Sequence, residues 1–78
     1  MPTILRIKGF RFFFWSNENG EPIHIHIEKA DASAKMFLLP VSDVYFYGFT
    51  SKEIKEIREI VKENSELFIN AWLEYHGE

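Results

Sequence analysis

His24 and His26 stand one residue apart and form the most compact chemical feature of this 78-residue chain. On a β-strand, residues two apart point to the same face, so both imidazoles would project together. Such a pair suits several chemistries. Two strand histidines can share a Zn²⁺, but a site needs a third ligand. Glu28 lies too far along the strand, and His76 reaches only if the C-terminus folds back. The ligand count is short, and we expect neither metal nor cofactor. Imidazoles also titrate near neutrality and suit proton transfer in phosphodiester cleavage. Arg6 or Arg11 would then hold the phosphate. In a third reading the pair belongs to a binding face. Arg6, Arg11 and Lys35, with Glu28 beside them, would line it, and Phe13, Trp15 and Phe37 would stack on bases. The plainest reading places both histidines at a subunit interface or half exposed, since His-x-His alone is a weak motif.

The elements that position these side chains follow from pattern. The first 40 residues read with period two. Strands are expected over 3–7, 10–15, 23–28, 34–39 and, less clearly, 41–47. Lys8-Gly9 is a two-residue hairpin turn, Asn17-Glu18-Asn19-Gly20 a strong turn signal, and Ala30 to Ser33 a third turn. Paired as successive hairpins, these strands set Ile7 opposite Phe10, Leu5 opposite Phe12 and Arg6 opposite Arg11. They also set Phe12 opposite Ile25, Phe10 opposite Ile27, Ile25 opposite Leu38, and Glu28 opposite Lys35. One face then collects Leu5, Ile7, Phe10, Phe12, Phe14, Ile23, Ile25, Ile27, Met36 and Leu38. The agreement of three turns on one apolar set argues for the sheet, because a one-residue slip would scatter it. The other face carries Ile4, Arg6, Arg11, Phe13, Trp15, His24, His26, Glu28, Lys35, Phe37 and Leu39. Arg6 opposite Arg11 is unfavourable unless something anionic sits between them.

The rest of the chain reads as helix. Thr50-Ser51-Lys52-Glu53 is a capping box, followed by the stripe Ile54, Ile57, Ile60 and Val61. Asn64-Ser65 marks a break and a new cap before Leu67, Phe68, Ala71, Trp72 and Tyr75; the alternative is one bent helix over 51–76. The expected fold is α+β: an antiparallel meander of four or five strands followed by one or two C-terminal helices packed on one face. It forms a single domain over 1–78, mainly β-sheet over 1–47 and helical over 50–76.

Composition bounds the rest. Apolar residues make up 46% of the chain and aromatics 17%, which excludes intrinsic disorder. There is no cysteine, so disulfides and cysteine zinc fingers are excluded. A domain this small draws only ~3–5 kcal/mol of net stability from one core. Dense packing or a partner must help. Residues 1–39 hold five Lys/Arg against four Asp/Glu, and residues 40–78 four against eight, so two surfaces of different charge are expected. No apolar run approaches the ~20 residues of a membrane span, and the first residues lack a signal-peptide layout. A cytoplasmic location is the expectation.

The stretch Glu21-Pro22-Ile23-His24-Ile25-His26-Ile27-Glu28 resembles the small prokaryotic domain-of-unknown-function family 4160. Further matches are Met1-Pro2, Phe10 to Trp15, Ser16-Asn17-Glu18, Gly48-Phe49-Thr50 and Trp72, so the resemblance spans essentially the whole chain. Ile23 departs from it, where members often carry a second proline. The resemblance implies a component of a two-protein, toxin–antitoxin-type module, on the toxin side. It assigns no catalytic residues; His24, His26, Glu18 and Glu28 match motif positions. The leading expectation is therefore a toxin-like component that binds RNA or a small cognate protein through the basic, aromatic, histidine-bearing face. The alternatives are a metal-independent endoribonuclease using His24 and His26, and a structural homo-oligomer without ligand.

Overall fold

The computed structural model describes residues 3–15 and 20–76. Strands β1 (Thr3–Ile7), β2 (Phe10–Phe13), β3 (His24–Lys29), β4 (Ala32–Leu38) and β5 (Val41–Tyr47) form one sheet in the order β1-β2-β3-β4-β5. Every pairing is antiparallel. Helices α1 (Ser51–Glu63) and α2 (Ser65–Tyr75) follow and pack on one face of the sheet. The fold is the α+β meander expected, with the fifth strand and two helices present. No helix among the described residues is long and apolar enough to cross a membrane.

The first hairpin forms as its sequence dictates. Lys8 and Gly9 both take left-handed backbone angles, φ 54° and 85°. A turn of this hand matches the twist of the flanking strands. Ile7 therefore faces Phe10, and Arg6 faces Arg11. Gly48, at φ 84°, ends β5, and a Cβ there would lie 3.3 Å from Cα and Cβ of Ala32. Only glycine lets these two backbones approach so closely without strain.

Two registers differ from the expectation, each by two residues. Phe12 faces Ile27, not Ile25. Ile25 faces Met36, not Leu38, and Glu28 faces Ser33 rather than Lys35. The third turn is the cause of the second shift: Ala30 adopts φ 52°, so β3 and β4 are joined through Ala30 and Asp31 alone. The first shift arises because Phe14 and Trp15 leave the ladder, and β2 stops at Phe13. A slip of two preserves which face each side chain occupies, so the apolar set survives. The turn read at 17–20 lies outside the described residues except for Gly20, as do Met1, Pro2 and Glu18. Ile4 is a further correction. The β1–β2 register shifts between Thr3 and Leu5, and this bulge turns Ile4 to the helix side, beside Ala71 and Tyr75. Leu39 lies past the end of β4 and is exposed.

The core holds Phe10, Phe12, Phe14, Ile25, Ile27, Met36 and Leu38 from the sheet. The helices add Ile57, Ile60, Val61, Phe68 and Trp72. Aromatic contacts knit these layers: Phe12 stacks on Phe68 at 5.4 Å, and Phe14 meets Trp72 edge-on at 5.4 Å. Ile7 stays exposed, because it ends an edge strand.

The capping box forms as read. Thr50 Oγ1 accepts from the Glu53 N–H at 3.1 Å, and a Glu53 carboxylate oxygen accepts from the Thr50 N–H at 3.0 Å. The other oxygen of Glu53 accepts from Lys29 Nζ at 2.9 Å, tying the helix start to β3. The Thr50 N–H, then Lys29, hold the Glu53 carboxyl below its ordinary pKa. A depressed carboxyl stabilises the fold fully above its unfolded pKa, and the contribution is lost as pH falls through the lower folded value. Glu53→Gln keeps the shape and loses the charge. Its melting temperature is expected to fall below wild type at about pH 7, and the gap to close as pH falls through the lowered carboxyl value. Thermal melts of both proteins over a series of pH values check this.

Asn64 separates the helices, but not as the new cap expected. Its side-chain N–H₂ turns back to the Ile60 carbonyl at 2.8 Å and closes the end of α1. It makes no capping hydrogen bond to α2. On the other side of α1, Arg58 forks onto both carboxylate oxygens of Asp43 in β5.

Candidate functional site

The sheet face away from the helices is built in rows across the strands. One row places His26 between Phe13 on β2 and Lys35 on β4, with Tyr45 of β5 beyond. The next places His24 opposite Phe37, with Ser42 beyond. A third runs Arg6, Arg11, Glu28, Ser33 and Tyr47. All the site residues read from the sequence thus fall on or beside this face.

His24 and His26 do share a face, with ring centroids 5.0 Å apart and nearly perpendicular. His26 stacks on Phe13 at 5.5 Å and meets Trp15 edge-on at 6.0 Å. His24 is fully buried and His26 is 8% exposed. His24 Nδ1 lies 2.8 Å from the Pro22 carbonyl oxygen. A carbonyl only accepts, so Nδ1 carries a proton and donates it to this bond. Acid–base chemistry on a bound phosphodiester needs groups within hydrogen-bond reach of the substrate. The completely buried His24 ring instead packs as part of the interior.

Two cations of the face, Arg11 and Lys35, are paired with carboxylates of the chain. Arg11 Nη1 donates to Glu28 Oε2 at 2.9 Å, and its Nε donates to Thr3 Oγ1 at 2.7 Å. The guanidinium also lies over the Phe13 ring, 4.3 Å from its centroid. Lys35 Nζ donates to Glu21 Oε1 at 2.7 Å. The Arg6–Arg11 juxtaposition is therefore relieved by Glu28, an anion of the chain itself. Arg6 is exposed and Phe37 half-buried. Trp15 is the large aromatic that this part of the face offers to solvent, at 46% exposure.

Two residues join the cluster that the sequence did not assign to it. Trp72 of α2 lies 4.9 Å from the His24 ring, and His76 stacks on Trp72 at 3.9 Å. His76 Nδ1 donates to the Trp72 carbonyl at 3.1 Å. Phe68 and Trp72 belong to the expected stripe, and His76 continues their i, i+4 spacing; only the docking of α2 shows that the stripe ends against His24. Among the described residues, no group of three or more His, Asp or Glu side chains is placed to hold a metal ion.

The arrangement is an aromatic cluster, backed by the core through His24 and Trp72, with exposed Trp15 at its edge and ion pairs around it. Nothing among curated proteins or solved structures matches the chain. A family model does: residues 9–73 match the family described as Domain of unknown function (DUF4160), and the chain belongs to that family.

Proposed function

We propose that this protein is a binding module that takes a small cognate protein on its outer sheet face, as one member of a two-protein, toxin–antitoxin-type pair. The observation that carries the reading is the internal pairing of Arg11 with Glu28 and of Lys35 with Glu21, next to the exposed Trp15. Nucleic-acid affinity comes mainly from cations that release counterions from phosphates. Cations already bound to carboxylates serve that purpose poorly. Protein interfaces, by contrast, are enriched in aromatic residues and arginine, with a few aromatic anchors supplying most of the binding energy. Trp15, exposed at the edge of the cluster with Arg11 nearby, has that character. The toxin–antitoxin-type setting is what the family resemblance implies, and it supplies the class of partner: a small protein encoded beside this one.

The test is a calorimetric titration of the purified chain with that neighbouring small protein and, separately, with single-stranded RNA of mixed sequence. Binding to the protein is expected, and Trp15→Ala is expected to weaken it by about thirtyfold while leaving the thermal melt near that of wild type. No binding to the neighbouring protein, or binding that ignores Trp15→Ala, overturns the proposal. Tight RNA binding that falls steeply with salt would instead assign the face to nucleic acid.

A further inference from the structure

We infer that β5 is an open pairing edge, and that its occupant is the same segment of a second copy of this chain, joined antiparallel about a twofold axis beside Phe46. This inference stands apart from the outer-face partner above. It starts from a difference between the two edges of the sheet. Natural proteins blunt edge strands with short length, charge, proline or bulges. β1 is the shorter edge and carries Arg6, whereas both edges contain a bulge. β5 has seven residues, Val-Ser-Asp-Val-Tyr-Phe-Tyr, with no Lys, Arg or Pro. Its one charged side chain, Asp43, is occupied by Arg58 of α1. Tyr45 and Tyr47 are 45% and 70% exposed.

The bulge in β5 selects the register. Tyr45 faces Lys35 and Asp43 faces Met36, so Val44 is the extra residue between them. Side chains on the two sides of a bulge no longer alternate in phase. A symmetric pairing that crosses Val44 would set core-side residues against outer-face residues. Beyond the bulge, Tyr45 and Tyr47 share the outer face and Phe46 the core side. An axis beside Phe46 keeps these faces aligned. It brings Tyr45 of each copy opposite Tyr47 of the other and Phe46 opposite its own counterpart. Aromatic cross-strand pairs are favourable contacts. No charged side chain of this segment meets its own copy, so no like-charge repulsion opposes the pairing. The segment before the bulge offers a poorer choice: a symmetric pairing there sets Val41, which packs against the core, opposite Asp43.

A ladder this short falls below the ~1,200 Å² that stable interfaces bury, so the dimer is weak and concentration-dependent. Its consequence for the surface is large, because the two outer faces become one continuous face of ten strands.

Sedimentation equilibrium of the full chain over a wide concentration range tests this, with two double variants whose folding is checked by circular dichroism. In Tyr45→Lys/Tyr47→Lys, like charges meet across the axis. In Tyr45→Lys/Tyr47→Glu, each lysine meets a glutamate of the other copy. Wild type is expected to show a monomer–dimer equilibrium. The Lys/Glu variant is expected to dimerise about tenfold more tightly than the Lys/Lys variant. A wild type that stays monomeric into the millimolar range overturns the inference. So does a dimer that the Lys/Lys variant forms as well as wild type, or equal behaviour of the two variants.

Discussion

Replacing Trp72 with alanine is expected to abolish the cooperative thermal transition. Truncating a buried Trp costs ~3–5 kcal/mol through lost burial and a residual cavity. A core of this size supplies a net stability of about that amount. Trp72 is 5% exposed and touches three parts of the molecule at once. Its ring meets Phe14 edge-on, packs against His24, and carries His76 on its face. Its loss therefore separates α2 from the sheet and leaves the buried His24 ring facing a void. Trp72→Phe keeps an aromatic ring in place and is expected to melt cooperatively at a lower temperature. Circular dichroism melts of the three proteins check both statements. A Trp72→Ala protein that melts within a few degrees of wild type would show that α2 contributes little to the fold.

Phe12→Ala is expected to be as damaging, by ~3–5 kcal/mol. Phe12 is fully buried at the centre of the helix-facing side, between Leu5 on β1 and Ile27 on β3, and stacks on Phe68. Its sequence neighbour provides the internal comparison. Phe13 is nearly as buried, at 4% exposure, but on the outer face, where side chains rather than helices cover it. Arg11, Trp15 and His26 can relax toward a truncated site, so Phe13→Ala is expected to cost clearly less than Phe12→Ala. Urea unfolding of both variants, compared at their midpoints with matched slopes, decides the order. Equal losses would mean that the outer cluster is packed as rigidly as the core.

The contrast between these neighbours shows what is legible in the sequence. Strict alternation assigned Phe12 and Phe13 to opposite faces, and that assignment needs only the parity of the strand. The first hairpin was legible from its turn back to Leu5 and Phe12, because Lys8-Gly9 closes it with no slack, but the bulge at Ile4 was not. Other registers were not. Nothing about an alanine announces that Ala30 will take a left-handed conformation. Nothing in the β-favouring Phe14 and Trp15 announces that they leave the ladder. Each uncertainty moved a register by two, which spared the faces and changed the neighbours. The site shows the same division. The histidine pair was legible because its spacing is local. The Arg11–Glu28 pair was not, because it depends on the register between β2 and β3. Trp72 and His76 were not, because a helix's period fixes its buried stripe but not where that stripe lands on the sheet.

The uninterrupted strand order has a kinetic consequence. Each strand pairs only with its neighbours in the chain, so the whole sheet can assemble by closing short loops. Closure entropy rises with the logarithm of loop length, and chains dominated by local contacts reach the native state fastest. The longest closure left is the return of α2 to Ile4, Phe14 and His24 across most of the sequence. The histidine cluster, assembled from β3 and that last helix, is therefore completed by the slowest-closing contact of the fold. Until α2 docks, the aromatic platform lacks its backing.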